Sequence, residues 1–287
     1  MSINLSNAAV QQFDDLVKHE YQARGRLREC VTLRTGVTGD TYQFTRMGQG
    51  IAYQKATQAD VTPMNVDHNR QPCILNPWNA DEYTDIFNND EVNFSEQKEL
   101  AKTIGKALQR REDQIIIDAI NGGTYSTTPT GADQGLDIVT GAAGLTMNKL
   151  REINERFQDL EVDADPSEKI IAVTPKGIRD LLEDPEVTSS DYNRNAVGGL
   201  LDGTIEVYMG MTFKVLGTRT EGGLPVVTDQ RAFAWHKDAV GYAVGNIDMM
   251  TRVDWVAHKK AWLSAGSLRS GACIRENAGI IRVNYTV

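Results

Sequence analysis

The sequence predicts an α+β protein built around one long helix, and three observations support this fold class. First, an amphipathic segment of about 27 residues, long enough for a rod of roughly 40 Å, ends at Gly122 and Gly123. Second, strand, helix and loop patterns alternate in the middle of the chain. Third, strand patterns fill the closing region.

The composition is that of a folded globular protein. Of the 287 residues, 40% are hydrophobic and 24% charged, and no run approaches the roughly 18 apolar residues that span a bilayer. The chain start lacks a secretory pattern and Cys30, Cys73 and Cys273 form no CxxC motif, so we expect synthesis in a reducing, intracellular compartment. The net charge of −9 argues against a main task of binding phosphates, although a container for nucleic acid need not be basic.

Residues 1–35 are predicted to form an N-terminal arm. Phe13, Leu16 and Tyr21 follow the spacing of one helix face, and the basic stretch RGRLREC comes next. This pattern indicates an arm that docks onto another surface.

Residues 36–75 are predicted to form an extended β-hairpin. The stretch GVTGDTYQFTRMG alternates as a strand does, and PCILNPW is a second short apolar run. The stretch between them, IAYQKATQADVTPMNVDHNRQ, has few large apolar side chains and no helical period. Two arms of about 16 residues would extend on the order of 50 Å, and an isolated two-stranded hairpin is marginally stable, so it requires a partner. A surface loop without a partner is the alternative.

The long helix is predicted over residues 93–121. Asn93 and Glu96 have the spacing of a capping box, and acidic residues occupy the first turns. Its predicted apolar face comprises Leu100, Ile104, Leu108, Ile115 and Ala119.

The middle of the chain is predicted to contain a loop, two helices and a buried strand. Residues 124–145 are rich in Gly, Ser, Thr and Pro and are predicted to be a loop. Thr146 is the expected cap of the next helix. The apolar face of that helix comprises Leu150, Ile153, Phe157 and Leu160. EKIIAVTP is a buried strand that leads into a helix with Thr174 as its cap and Pro175 at its first position.

Strands dominate the rest of the chain. Residues 191–217 are predicted to be a loop followed by two strands that meet at Gly210, and RAFAWHKDAVGYAVG contains another strand and a short helix. In the tail, Ile281, Val283 and Tyr285 alternate with polar residues, as in a strand with one buried face.

The sequence contains no recognisable catalytic, metal-binding or cofactor-binding motif. It has no GxxxxGK[ST] phosphate loop and no GxSxG nucleophile motif, and its histidines are scattered without metal-ligand spacing. The acidic residues between Asp81 and Glu99 could bind a divalent cation, but a solvated surface and the acids of a helix start explain them more simply. We therefore predict no catalytic residue, no metal and no cofactor.

The order of these segments resembles the major capsid protein of tailed double-stranded DNA bacteriophages, which has the Hong Kong 97 fold. The resemblance covers nearly the whole chain. It is most specific at three stretches: GDTYQFTRMGQGIAYQKATQADVTPMNVDH, ELAKTIGKALQRREDQIIIDAI, and DYNRNAVGGLLDGTIEVYMGMTFKV with the HKDAVGYAVG that follows it.

The resemblance implies an architecture with named parts. They are an N-terminal arm over 1–35, an extended loop over 36–75, a peripheral domain with the spine helix over 76–167, an axial domain over 168–245, and returning peripheral strands over 246–287. In this family the loop reaches across a neighbouring subunit, the arm wraps another, and the axial domain packs at the centre of pentamers and hexamers. The implied contacts are Ile51, Tyr53, Lys55, Val61, Pro63 and Met64 in the loop, and Phe13, Leu16 and Tyr21 in the arm.

The implied function is that of a coat protein. Its copies assemble in the cytoplasm of a bacterial host into the icosahedral shell of the virion, which encloses double-stranded DNA without sequence-specific binding. The implied partners are further copies of the chain, a portal, a separate scaffolding protein and a decoration protein, with no membrane. Lys55 is the sole loop candidate for the isopeptide bond that joins subunits in the archetype, and a solvated surface charge is the alternative.

Three other functions stay open on the sequence. An encapsulin-like compartment shares the fold and holds protein cargo instead of DNA. A soluble α+β enzyme would need a site assembled from dispersed residues, such as a carboxylate pair. A tail or other virion structural protein would form rings or tubes.

Overall fold

The computed structural model describes residues 24–87, 96–129, 134–139, 144–162, 168–183, 207–226 and 229–285. Within these ranges the α-helices are α1 (Glu96–Asn121), α2 (Met147–Asp159) and α3 (Pro175–Glu183). The strands are β1 (Thr32–Val37), β2 (Thr41–Met47), β3 (His68–Ile74), β4 (Asn76–Asp85), β5 (Tyr125–Ser126), β6 (Gly135–Val139), β7 (Lys169–Val173), β8 (Val207–Tyr208), β9 (Met211–Val215), β10 (Gln230–His236), β11 (Val240–Gly245), β12 (Met250–Val256), β13 (Ala261–Ile274) and β14 (Ile280–Tyr285). The predicted α+β class is confirmed.

Some predictions fall on residues outside these ranges. They concern the arm side chains Phe13, Leu16 and Tyr21, the capping residue Asn93, and the loop over 191–206.

The first sheet has β13 at its centre. Strand β4 pairs antiparallel along one edge of β13, from Asn76 opposite Ser270 to Asp85 opposite Ala261. The other edge is shared, because β12 pairs with the first half of β13 and β11 with the second half, while β1 lies parallel to β11. A single strand of 14 residues therefore joins segments from distant parts of the chain.

The second sheet has seven strands in the order β5-β6-β14-β10-β7-β9-β8, and both of its faces are covered. On β7, Ile171 and Val173 pack with α2 and α3, whereas Ile170 and Ala172 pack in the core that α1 shares. Burial on both faces explains why this strand is a continuous apolar run rather than an alternating one.

Helices α2 and α3 cover one face of this sheet largely as the sequence predicts. Leu150, Ile153 and Phe157 are buried, and the Thr174 hydroxyl accepts the Gly177 N–H at 3.2 Å, which confirms the predicted cap of α3. Thr146 stands at the N-cap of α2 but makes no side-chain cap hydrogen bond.

Helix α1 is the long helix that the sequence predicts, and it ends directly before Gly122. Ile104 and Leu108 are buried as predicted, but the face shifts further along, where Ile115 and Ala119 are only partly buried. The buried apolar residues of that half are Ile116, Ile117 and Ile120. The shift arises because this half packs in a core shared by both sheets and the N-terminal segment, so a wider arc of the helix is buried.

The prediction of a loop over 124–145 was wrong in part. Strands β5 and β6 lie in this stretch, and β6 pairs parallel with β14. Leu136 and Ile138 are buried, and the Asp137 carboxylate accepts two hydrogen bonds from the Arg282 guanidinium at 2.6 and 3.0 Å. These strands depend on pairing with the distant tail, which the Gly- and Thr-rich local sequence does not reveal.

Strands β2 and β3 form a hairpin, but a shorter one than predicted. Seven residue pairs link them, from Thr41 opposite Ile74 to Met47 opposite His68, and the Gly48 N–H then donates to the Asp67 carbonyl at 2.8 Å. Beyond that bond the described residues 49–66 form no strand, so the prediction of arms of about 16 residues was wrong. Pairing stops there because a two-stranded ribbon that extended beyond the packed root would have no third strand and no core of its own subunit to stabilise it.

Sheet membership does not follow the predicted domain segments one by one. Strand β11, within the segment 168–245, belongs to the first sheet, and β14, within the segment 246–287, belongs to the second. The segment boundaries stay a prediction about how the chain divides in an assembly.

Candidate functional site

The stretch that joins β2 to β3, residues 48–67, presents apolar side chains to solvent. The exposed fractions are 69% for Ile51, 60% for Tyr53, 75% for Val61 and 53% for Met64. Lys55 and Pro63 are exposed too. Single exposed apolar side chains are ordinary, but several on one projecting loop mark a surface suited to burial against another molecule.

The base of this loop is fixed to the first sheet. Phe44 is buried against Gly241 of β11, where an added methyl group would meet its ring at 2.8 Å. Ion pairs flank this contact, with Arg46 to Glu276 at 2.6 Å and Arg269 to Asp40 at 2.6 Å. The loop therefore projects from a well-packed root.

The described part of the N-terminal arm, from residue 24 onwards, is anchored on α1. Asp113, buried on this helix, accepts the backbone N–H of Arg26 at 3.0 Å from each carboxylate oxygen and that of Leu27 at 3.0 Å. Leu27 itself is fully buried. The sequence gives no signal of this role, because Asp113 lies in the charged run RREDQ, which is typical of a solvated helix face.

Next to it, Glu112 forms a second buried attachment. Its carboxylate accepts hydrogen bonds from Arg28 at 2.9 Å and from the Tyr242 hydroxyl at 2.8 Å, and Arg28 also pairs with Asp248. Burial raises the pKa of Glu112 to about 7 and that of Asp113 to about 6. The arm anchor therefore contains two carboxyl groups that titrate near neutral pH.

Asp113→Ala should lower the free energy of unfolding of the unassembled subunit by about 2–3 kcal/mol, because two backbone N–H groups lose their acceptor in a dry site. Denaturant titration measures the loss. Asp118→Ala is the matched control, since Asp118 is exposed on the same helix and bonds Gln114 at 2.6 Å, and it should change stability by less than about 0.5 kcal/mol. Equal losses in both variants would refute the anchor.

Glu112→Gln should change how stability depends on pH. The folded pKa of Glu112 is about 7 and its ordinary value is 4.5, so between these values the folded state holds a proton that the unfolded state has released. The wild-type chain is therefore expected to gain stability as pH falls from 8 to 5, by up to about 3 kcal/mol more than the variant does. Identical pH profiles of the unfolding free energy would contradict the raised pKa.

A second exposed apolar patch, which the sequence reasoning missed, lies where β12 turns into β13. Trp255 pairs with Trp262 across the two strands, with ring centroids 5.2 Å apart, and both rings stay partly exposed. On the neighbouring β4, Thr84 is the residue opposite Trp262, so Tyr83 lies on the other face of the sheet, where its ring is 3.7 Å from the Lys259 ammonium. The signal was present in DWVAHKKAWL, which places a tryptophan on each side of a basic turn.

Other kinds of site find little support in the described ranges. Among the helices described there, none has the length and apolar content for a membrane crossing. The same ranges hold no group of three or more His, Cys, Asp or Glu side chains placed to bind a metal ion. The candidate site consists of the exposed loop of residues 48–67 and the exposed patch around Trp255 and Trp262.

Comparison with known proteins gives one family and many structures. The family described as phage capsid protein matches residues 5–287. A comparison with curated protein sequences returned no significant match.

Several solved capsids share the fold over nearly their whole length. The acidic stable capsid of Helicobacter pylori bacteriophage KHP30 superposes with a TM-score of 0.76 at 10% identity, covering 100% of this chain and 99% of that one. The structure from Mycobacterium phage Che8 superposes with a TM-score of 0.73 at 15% identity, covering 98% of this chain and 98% of that one. The capsid of a native GTA particle, computed with C5 symmetry, superposes with a TM-score of 0.73 at 14% identity, covering 99% of this chain and 98% of that one.

Proposed function

Because the chain belongs to the phage capsid protein family, it is a structural protein of the virion, and we propose how its copies build the icosahedral head. The exposed loop of residues 48–67 lies over a neighbouring subunit and buries its apolar side chains there. The observation that supports this is the contrast between a packed root at Phe44 and a tip whose large apolar side chains are more than half exposed. A neighbouring copy would supply the cover that the single chain lacks.

In this proposal each segment has a place in the shell. Residues 36–75 are the extended loop, and Ile51, Tyr53, Lys55, Val61, Pro63 and Met64 are its contact residues. The arm over 1–35 lies on another neighbour through Phe13, Leu16 and Tyr21. Helix α1 is the spine of the peripheral domain over 76–167, to which strands of 246–287 return. The region over 168–245 is the axial domain at the centre of pentamers and hexamers.

The patch around Trp255 and Trp262 is a further contact with another copy. A capsid subunit is surrounded by copies, and single contacts of modest area become strong when they repeat in a closed shell. The two partly exposed rings would be dry in such a contact.

The remaining partners belong to the process of head assembly. We propose a scaffolding protein that guides curvature, a portal at one vertex and a decoration protein on the outside. The genome is double-stranded DNA, which the shell holds without reading its sequence. The net charge of −9 supports a shell that does not bind the DNA phosphates strongly. Lys55 remains the loop candidate for a covalent link to a neighbour's asparagine. The alternative is an ordinary solvated surface charge, and Lys55 is exposed in the single chain.

Electron microscopy of negatively stained protein tests the proposal. The chain is purified after expression alone and together with a candidate scaffolding protein. Closed shells, or free pentamers and hexamers, are the expected result. A small monodisperse particle under both conditions would overturn the proposal, and shells filled with a protein cargo rather than DNA would favour the encapsulin-like alternative.

A further inference from the structure

Two of the three cysteines meet where the extended loop joins the first sheet. Cys73, on β3, is fully buried, and Cys273, on β13, is partly exposed in the same small core as Phe44 and Leu75. A hydrogen bond between the two thiols lowers the pKa of Cys73 and raises that of Cys273. Cys30 is buried in the separate core around α1 and is not part of this pair.

The backbones at this point approach each other unusually closely. The chain at Ile74 crosses Gly271 so tightly that a methyl group there would lie 1.9 Å from the Ile74 carbonyl oxygen. Cys73 directly precedes Ile74, and Cys273 lies two positions beyond Gly271 on the same face of β13. Gly241, opposite Cys273 in the ladder, is in turn covered by the Phe44 ring. The two strands are thus closely packed, with both thiols in the same small core.

We propose that Cys73 and Cys273 are a disulfide-forming site that fastens the root of the extended loop to β13 after the head leaves the reducing cytoplasm. The setting rests on the proposed function, since a virion is released into an oxidising environment, where disulfides persist. The bond joins the second strand of the loop to the central strand of the first sheet. Its substrate class is a low-molecular-weight disulfide.

The chemistry proceeds by two exchange steps. Of the two thiols, a small disulfide RS–SR can reach the partly exposed Cys273, since Cys73 is fully buried. The hydrogen bond to Cys73 raises the pKa of Cys273, so Cys273 must first release its proton to solvent, and its attack becomes faster as pH rises. The attack forms a mixed disulfide and releases RS⁻. The Cys73 thiolate then attacks the sulfur of Cys273, which forms the protein disulfide and expels the second RS⁻. The two cysteine protons end on the two released thiolates, so two protein thiols are oxidised and one small disulfide is reduced to two RSH.

Thiol mapping of the wild-type chain tests the proposal without any mutation. Assembled particles and unassembled subunits, identified separately by electron microscopy, are incubated with oxidised glutathione, denatured, alkylated with N-ethylmaleimide and digested for mass spectrometry. We expect a peptide pair joined through Cys73 and Cys273 and lighter by two hydrogens, while Cys30 is alkylated. Alkylation of all three cysteines in both samples would overturn the proposal, whether or not shells form.

A variant captures the intermediate. In Cys73→Ser the resolving thiol is gone, so Cys273 should retain glutathione as a mixed disulfide, which the wild type should not accumulate. If the variant does not fold, the wild-type measurement decides alone. If the variant folds and Cys273 retains no glutathione, Cys273 is not the entry point and the proposed order of exchange is wrong.

Discussion

Tyr53→Asp combined with Met64→Asp should abolish shell formation and leave the subunit folded. Both side chains are more than half exposed in the single chain, so charges there cost the monomer little. In a shell the same carboxylates would lose their water against a neighbour, at a cost of at least about 3 kcal/mol per contact. Because every subunit carries the change, the penalty repeats at each contact of that kind. Sedimentation velocity and electron microscopy measure assembly, and circular dichroism measures folding.

The conservative pair Tyr53→Phe with Met64→Leu is the matched control for this variant. It keeps the apolar area of both positions and should assemble as the wild type does. Normal shells from the Asp pair would contradict the assignment of the loop as a contact. A misfolded Asp pair would show instead that the loop matters to its own subunit.

Gly271→Ala should destabilise the subunit by about 3 kcal/mol, the upper end of what overpacking usually costs. The added methyl group would lie 1.9 Å from the Ile74 carbonyl oxygen and 2.8 Å from its carbon. Both are backbone atoms, so no side-chain rotation relieves the clash and the crossing of β3 over β13 must open. The expected result is a lower unfolding midpoint in denaturant and faster proteolysis within residues 41–74.

Gly245→Ala is the matched control in the same sheet. There the three atoms nearest to the added methyl group belong to the flexible Arg269 side chain, the closest at 3.4 Å, which is ordinary contact. Its effect should stay below about 1 kcal/mol. Comparable losses at both glycines would mean that the close crossing at Ile74 does not limit the fold.

The local sequence pattern was sufficient to predict an element where that element's own apolar residues or end signals determine its structure. The tail strand buries Ile281, Val283 and Tyr285 as their alternation predicts, and α1 ends at the glycine pair. The apolar run of β7 is a strand buried on both faces. In the tail strand the side chains that carry the period are the ones that fill the core.

The sequence-based prediction failed where pairing with a distant segment determines the local structure. Strand β6 forms because it pairs with β14 and because Asp137 binds Arg282, and the Gly- and Thr-rich stretch around β6 indicates neither partner. The hairpin arms were overestimated because extended sequence does not by itself produce pairing. Both errors concern tertiary contacts that periodicity cannot encode.

The candidate site was predictable in outline only. The lack of a helical period marked the loop, and its apolar residues Tyr53 and Met64 proved exposed, although their contact role stays a prediction. The role of Asp113 could not be predicted, because the local sequence does not distinguish a buried aspartate that accepts backbone N–H groups from an aspartate in solvent. The pairing of Cys73 with Cys273, 200 positions apart by number, needed the crossing of two strands to appear.

A cryo-electron microscopy reconstruction of the assembled particle tests the central claim most directly. The account predicts a closed shell in which residues 48–67 lie on a neighbouring subunit, with Tyr53 and Met64 buried in that contact. A shell in which this loop touches no other subunit and both side chains stay in solvent would contradict it.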